Sequence, residues 1–208
     1  VKKTNQIFLW LFICISTCLN VAKAQNFDYK TVKTLNTENM PAWDTFNEGV
    51  SFSVYPAMPL TVGGIWCYGH YKKDKEMKRN AWRSLATICG ANGGSIILKM
   101  IIHRDRPYVT YPNDIVKRTH SGPYSFPSGH SAAAFATATS LSLSTKKWEV
   151  AVPSFLYAGL VGYSRMRLGV HYPSDVTAGA VIGIAGGIIV WKLDQWLFKK
   201  PASQGTIE

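Results

Sequence analysis

Three short stretches concentrate the residues able to do chemistry. Lys99, Arg106 and Pro107 close one apolar segment, Pro127-Ser128-Gly129-His130 opens another, and Ser164-Arg165, followed by His171 and Asp175, joins two more. Lys99, Arg106 and Arg165 can surround a dianionic group, because guanidinium forks match phosphoryl oxygens two at a time. Ser128 ahead of an Ala-rich run predicts a helix N-cap. Backbone N–H groups and the helix dipole there favour an anion, and Gly129 allows close approach. His130 and His171 can divide nucleophile and acid roles near neutral pH. Asp175, four residues after His171, can fix the imidazole tautomer and stabilise its positive form. The sequence has no cluster of carboxylates suited to Mg²⁺, so charge stabilisation falls to the cations.

Five apolar segments must position these groups: residues 50–69, 84–98, 131–145, 150–164 and 176–191. None shows the strict alternation of a half-buried strand, so helices are expected throughout. The last four hold only 15 or 16 uncharged residues, short of the ~20 of a spanning helix. Flanking Arg83, Lys146 and Lys192 can snorkel and lengthen the span. Small residues such as Gly93, Gly94, Gly183, Gly186 and Gly187 suit close helix contact. The expected fold is therefore all-α, a helical bundle of about five transmembrane helices after a signal peptide, with the active site at one end.

If the helices alternate in direction, all three chemical stretches fall on the same side. The opposite side collects Lys72, Lys73, Lys75, Lys78, Arg79, Arg83, Lys146, Lys147, Lys192, Lys199 and Lys200, which makes it cytoplasmic by the positive-inside rule. The site then faces the periplasm or exterior. Residues 1–24 carry Lys2 and Lys3, an apolar run and Ala22-Lys23-Ala24, the pattern of a cleaved secretory signal. The expected division is a signal peptide (1–24), a polar lead-in (25–48), a helical domain (49–198) and a tail (199–208).

Composition sets the outer bounds. The 208 residues carry 23 Lys+Arg against 12 Asp+Glu, a net charge of +11, with 47% hydrophobic and only 17% charged residues. A disordered chain, a collagen-like repeat and a disulfide mini-protein are excluded. A basic balance fits nucleic acid, an anionic membrane or a phosphorylated substrate. Nucleic acid is disfavoured because the basic run from Lys72 to Arg79 lacks interleaved aromatics. Cys67 and Cys89 are expected as two buried thiols, without metal-type spacing.

These residues resemble the phosphatidic acid phosphatase type 2 superfamily, which includes bacterial acid phosphatases and vanadium haloperoxidases. Its signature, Lys-x6-Arg-Pro, then Pro-Ser-Gly-His, then Ser-Arg-x5-His-x3-Asp, is present in order from Lys99 to Asp175. The resemblance implies that His171 attacks phosphorus, Asp175 holds it, and His130 protonates the leaving oxygen. It also implies that Lys99, Arg106, Ser128, Gly129 and Arg165 bind the phosphoryl oxygens, and that hydrolysis needs no metal or other cofactor. The expected activity is hydrolysis of a phosphorylated lipid at the bacterial inner membrane. Undecaprenyl diphosphate, phosphatidate, phosphatidylglycerol phosphate and a lipid A phosphate are all candidates. The alternatives are a soluble exported acid phosphatase on small phosphomonoesters, a vanadate-dependent haloperoxidase, and a membrane scaffold without activity.

Residues near the motifs have plainer explanations. His103 and His120 are expected as solvated loop histidines, and Arg167 as a balance for surface charge. Arg104 either pairs with Asp105 or touches substrate. The tryptophans near segment ends fit an interfacial belt.

Overall fold

The computed structural model describes residues 25–36 and 39–198; the expected signal peptide with Cys14 and Cys18, and the tail, lie outside the described residues. The described residues form eight helical stretches and no strand. Helix α1 covers 25–36, α2 Pro41–Phe52, α3 Val54–Tyr71, α4 Lys75–Ile102, α5 Pro107–Thr110, α6 Gly129–Thr145, α7 Trp148–Arg167 and α8 Pro173–Leu197. The expected division at residue 48 falls inside α2.

Helix α6 is the axis of the bundle, packed against α4, α7 and α8. Its Ala132, Ala133, Ala134, Ala136 and Ala138 are buried among Ser and Thr residues. With so little side chain on α6, its neighbours approach almost to backbone contact. Gly179, Gly183 and Gly187 of α8 recur one turn apart and face it. A Cβ at Gly183 would stand 2.5 Å from the Ala132 carbonyl oxygen and 2.6 Å from the Ala136 nitrogen; one at Gly179 would collide with the Ser128 carbonyl oxygen.

Helix α4 is longer than its 15 uncharged residues suggest. Asp74 caps it, accepting from the N–H groups of Glu76 (2.8 Å) and Met77 (3.0 Å). The charges that follow do not end the helix, because a partner on α8 receives them: Arg79 Nε lies 2.8 Å from Asp194, and Arg83 pairs with Asp194 and with Glu76. The 28-residue helix ends at Ile102, where His103 turns left-handed.

Two stretches are long and apolar enough to cross a membrane, Lys75–Thr110 and Pro173–Leu197, and only 22% of each apolar window is buried inside the bundle. The core helix of a water-soluble protein would be mostly covered. Here Ile96, Ile97, Met100 and Ile101 of α4, and Val181, Ile188, Ile189 and Leu193 of α8, are exposed. Such a surface suits hydrocarbon and not water. The expected burial of Cys67 and Cys89 is corrected: both are free and exposed, on outward faces of α3 and α4.

At the bundle's other end the chain between α4 and α6 folds over the helix termini. Gly169 supplies the turn that brings the chain from α7 to α8. Its φ of +73° and the close approach of the Val116 carbonyl oxygen leave no room for a side chain. Asn36 of α1 fastens this turn, donating to the carbonyl oxygens of Arg167 (2.9 Å) and Val116 (3.0 Å) and accepting from the Val116 N–H (2.6 Å). Arg167, expected to balance surface charge, is instead buried and paired with Asp44 of α2 at 3.0 Å. The polar lead-in is thus a polar clamp on the loops of one end.

Candidate active site

Each predicted site residue sits at a helix end, and all the ends are the same one. Lys99 lies in the last turn of α4 and Arg106 just before α5. Gly129 and His130 open α6, Arg165 lies in the last turn of α7, and His171 precedes α8. These six residues line one cavity of about 570 Å³. Ser128 and Asp175 stand one layer behind it, each fully buried. The Ser128 hydroxyl oxygen accepts from the Ser131 N–H (3.4 Å) and hydroxyl (2.9 Å), so it closes the start of α6. The Ser128 N–H donates to the Asp175 carbonyl oxygen at 2.9 Å, joining the first turns of α6 and α8.

The cations are held by uncharged oxygens, which orient them without neutralising them. Lys99 Nζ donates to the carbonyl oxygens of Tyr124 (3.0 Å) and Ser125 (3.2 Å), leaving a third N–H. Arg106 donates to those of Gly122 (2.6 Å) and Val170 (2.7 Å). Arg165, only 1% exposed, donates to the Ser51 hydroxyl of α2 at 2.5 Å, while its Nε has no partner among the described residues. Three uncompensated cations around one cavity are costly unless an anion enters. A Cβ at Gly129 would meet nothing within 4 Å, so that position leaves open space at the start of α6.

His171 is oriented from both sides. Nε2 lies 3.3 Å from an Arg106 guanidinium nitrogen and Nδ1 lies 3.5 Å from Asp175 Oδ2. The second distance exceeds that of a good hydrogen bond; catalytic bonds of this kind commonly tighten when ligand binds. Burial, then the charges of Arg165, Arg106 and Lys99, push His171 well below the usual imidazole range. The ring is therefore neutral at physiological pH, with a lone pair available for attack. Histidine-selective ¹⁵N NMR tests this on a chain with only five histidines. The resonance missing in His171→Ala should read neutral throughout and protonate only well below pH ~6.5; titration at or above that value would contradict it.

His130 packs edge-on to Tyr55 (5.2 Å between centroids) and Phe52 (6.3 Å), and its Nε2 is buried without a partner. The opposite wall of the cavity is apolar: Phe52, Val54, Tyr55 and Met58 from α2 and α3, and Ile96 and Met100 from α4. His120 lines the rim, and exposed His103 packs edge-on to Tyr124. Among the described residues no group of three or more His, Cys, Asp or Glu is placed to hold a metal ion. The cavity thus sets three cations and the imidazoles of His130 and His171 against an apolar wall.

Sequence reasoning missed Ser51 and the true partners of Arg104. Arg104 pairs neither with Asp105 nor across the cavity; it bridges Asp28 (2.8 Å) and Asp175 (2.7 Å). Its place two residues before Arg106 was the available signal. The identity of its partners was not, since Asp28 is 76 residues away.

A sequence profile of the PAP2 superfamily matches residues 80–199, more than half of the chain. The chain belongs to this superfamily. It is 40% identical over 85 residues to lipid A 4'-phosphatase of Bacteroides thetaiotaomicron, covering 40% of this chain and 34% of that protein. It is 27% identical over 143 residues to undecaprenyl-diphosphatase BcrC of Bacillus subtilis, covering 68% and 69% of the two. The chain thus spans about a third of the first relative and about two thirds of the second. The fold matches the crystal structure of a transmembrane PAP2-type phosphatidylglycerolphosphate phosphatase from Bacillus subtilis. The TM-score is 0.69 at 24% identity, over 94% of this chain and 98% of that one.

Proposed function

We propose that this PAP2 superfamily member is a membrane-embedded phosphatase that removes phosphate from a phosphorylated lipid at the outer face of the bacterial inner membrane. The observation that carries the reading is the shape of the cavity. Lys99, Arg106, Arg165, His130 and His171 form one wall, and Phe52, Val54, Met58, Ile96 and Met100 form the other, on helices whose remaining faces are exposed and apolar. A headgroup phosphate reaches the cations while its tail stays beside α3 and α4. The names of the relatives, acting on lipid A and on undecaprenyl diphosphate, support a lipid substrate without selecting one.

The geometry supports a two-step reaction. His171 Nε2 attacks phosphorus, forming an N–P bond as the P–O bond to the lipid breaks. His130 gives its proton to the departing oxygen. Asp175 compensates the positive ring through Nδ1–H, and Lys99, Arg106 and Arg165 take up charge on the equatorial oxygens. His130 then removes a proton from water, whose oxygen attacks phosphorus. The N–P electron pair returns to Nε2, and inorganic phosphate leaves. Ser128 supports this by fixing the start of α6, and Gly129 by leaving space for the phosphoryl oxygens. Residues 49–198 act with the 25–48 clamp as one unit.

The test is phosphate release in detergent with EDTA present. Turnover of a lipid diphosphate or phosphatidate should exceed that of a small soluble phosphomonoester by about 100-fold, the share of binding energy a tail in an apolar groove can contribute. Preference for the soluble ester, or loss of activity on chelation, would overturn the lipid or the metal-independent part of the proposal respectively.

A further inference from the structure

We propose that Arg104 and Asp28 are positioning residues that set the Asp175 carboxylate against His171, so that the N-terminal helix is part of the catalytic apparatus. The inference rests on the phosphohistidine reading above. Neither residue belongs to the three-part motif, and Asp28 lies outside the matched residues 80–199.

Asp175 is fully buried, and its oxygens have separate duties. Oδ2 accepts the Tyr172 N–H at 2.8 Å and faces His171 Nδ1 at 3.5 Å. Oδ1 accepts from one terminal nitrogen of Arg104 at 2.7 Å, which also meets the Ser174 hydroxyl at 2.7 Å. The other terminal nitrogen of Arg104 meets Asp28 Oδ2 at 2.8 Å. The guanidinium carbon lies over the Tyr172 ring, 4.1 Å from its centroid. Asp28, 3% exposed, accepts the Ser174 N–H at 3.0 Å and the Ser174 hydroxyl, so α1 caps the first turn of α8 from outside. Arg104 itself is not among the residues lining the cavity. It grips the back of the Asp175 carboxylate and leaves the front for the histidine.

Charge explains why two acids share one arginine. Arg104 alone would neutralise Asp175 and leave it little pull on a ring becoming positive. With Asp28 on its other side, Arg104 balances one carboxylate, and one negative charge remains for the His171 imidazolium. The trio also locks position, since the side chain of Asp175 is tied at both oxygens. Displacement of a catalytic group by ~1 Å costs about 100-fold in rate.

The test compares kcat and KM of Asp28→Asn, Arg104→Gln, Arg104→Lys and the Asp28→Asn/Arg104→Gln double variant on one lipid phosphate, alongside wild type and His171→Ala. Asp28→Asn keeps shape and an acceptor for Ser174 and so preserves the fold, which a melting midpoint checks. The expected result is a kcat loss of about 10-fold for Asp28→Asn and about 100-fold for Arg104→Gln, with KM and vanadate inhibition within about threefold of wild type. Arg104→Lys recovers part of the loss. The double variant is no worse than Arg104→Gln alone, because Asp28 acts through Arg104. Losses that multiply, or that appear in KM, overturn the positioning role, as does a kcat of Arg104→Gln within twofold of wild type. If wild type and His171→Ala release phosphate equally, the phosphohistidine reading itself fails.

Discussion

His171→Ala reduces phosphate release by about 10,000-fold or more while leaving the bundle folded. The size follows from the role: without Nε2 no N–P bond forms, and only the cationic cradle remains to assist water. Folding survives because His171 lies in the short connection before α8 and closes no helix. Its loss also removes a neutral ring from among three cations without stranding a charge, since Asp175 still pairs with Arg104 at 2.7 Å. Initial rates on the lipid substrate, beside the thermal melts of both proteins, check it. Residual activity within about 100-fold of wild type would mean that water, not His171, attacks phosphorus.

Gly183→Leu should prevent assembly altogether. The Cβ alone would sit 2.5 Å and 2.6 Å from backbone atoms of α6, and backbone cannot step aside as a side chain can. Relief requires α8 to move away from α6, which pulls the Asp175 carbonyl oxygen from the Ser128 N–H and separates the two first turns. Gly186→Leu, one residue from the Gly187 contact, is the control, because a Cβ there meets nothing within 4 Å. Size exclusion in detergent should show aggregated Gly183→Leu and monodisperse Gly186→Leu. Equal behaviour of the two would show that the glycine face is not the contact that holds these helices.

The convergence of the motif residues was legible because the helix ends that carry them are marked by spacing, Pro and Ser. Helix length was less legible. Arg79 and Arg83 read as the border of a span, yet Asp194, on a helix more than a hundred residues later, lets α4 carry them inward from Lys75. Arg167 misled in the same way, since a charge cannot announce a buried partner such as Asp44. The lead-in defeated pattern reading because its meaning lies wholly in distant contacts: Asp28 with Ser174, Asn36 with Val116, Asp44 with Arg118. Cys67 and Cys89 were assigned to a core on hydrophobic surroundings. In a bundle with an apolar exterior, those surroundings describe the outside equally well.

The clamp between Asp28 and Ser174 has a temporal side. A ribosome makes α1 before α8, and 146 positions separate these two partners. Until α8 emerges, Arg104 lacks Asp175 and Ser128 lacks the carbonyl that anchors its turn. No nascent intermediate therefore holds a working centre. On the proposed mechanism, phosphate release begins only once α8 is seated, so the arrival of that helix is itself the switch.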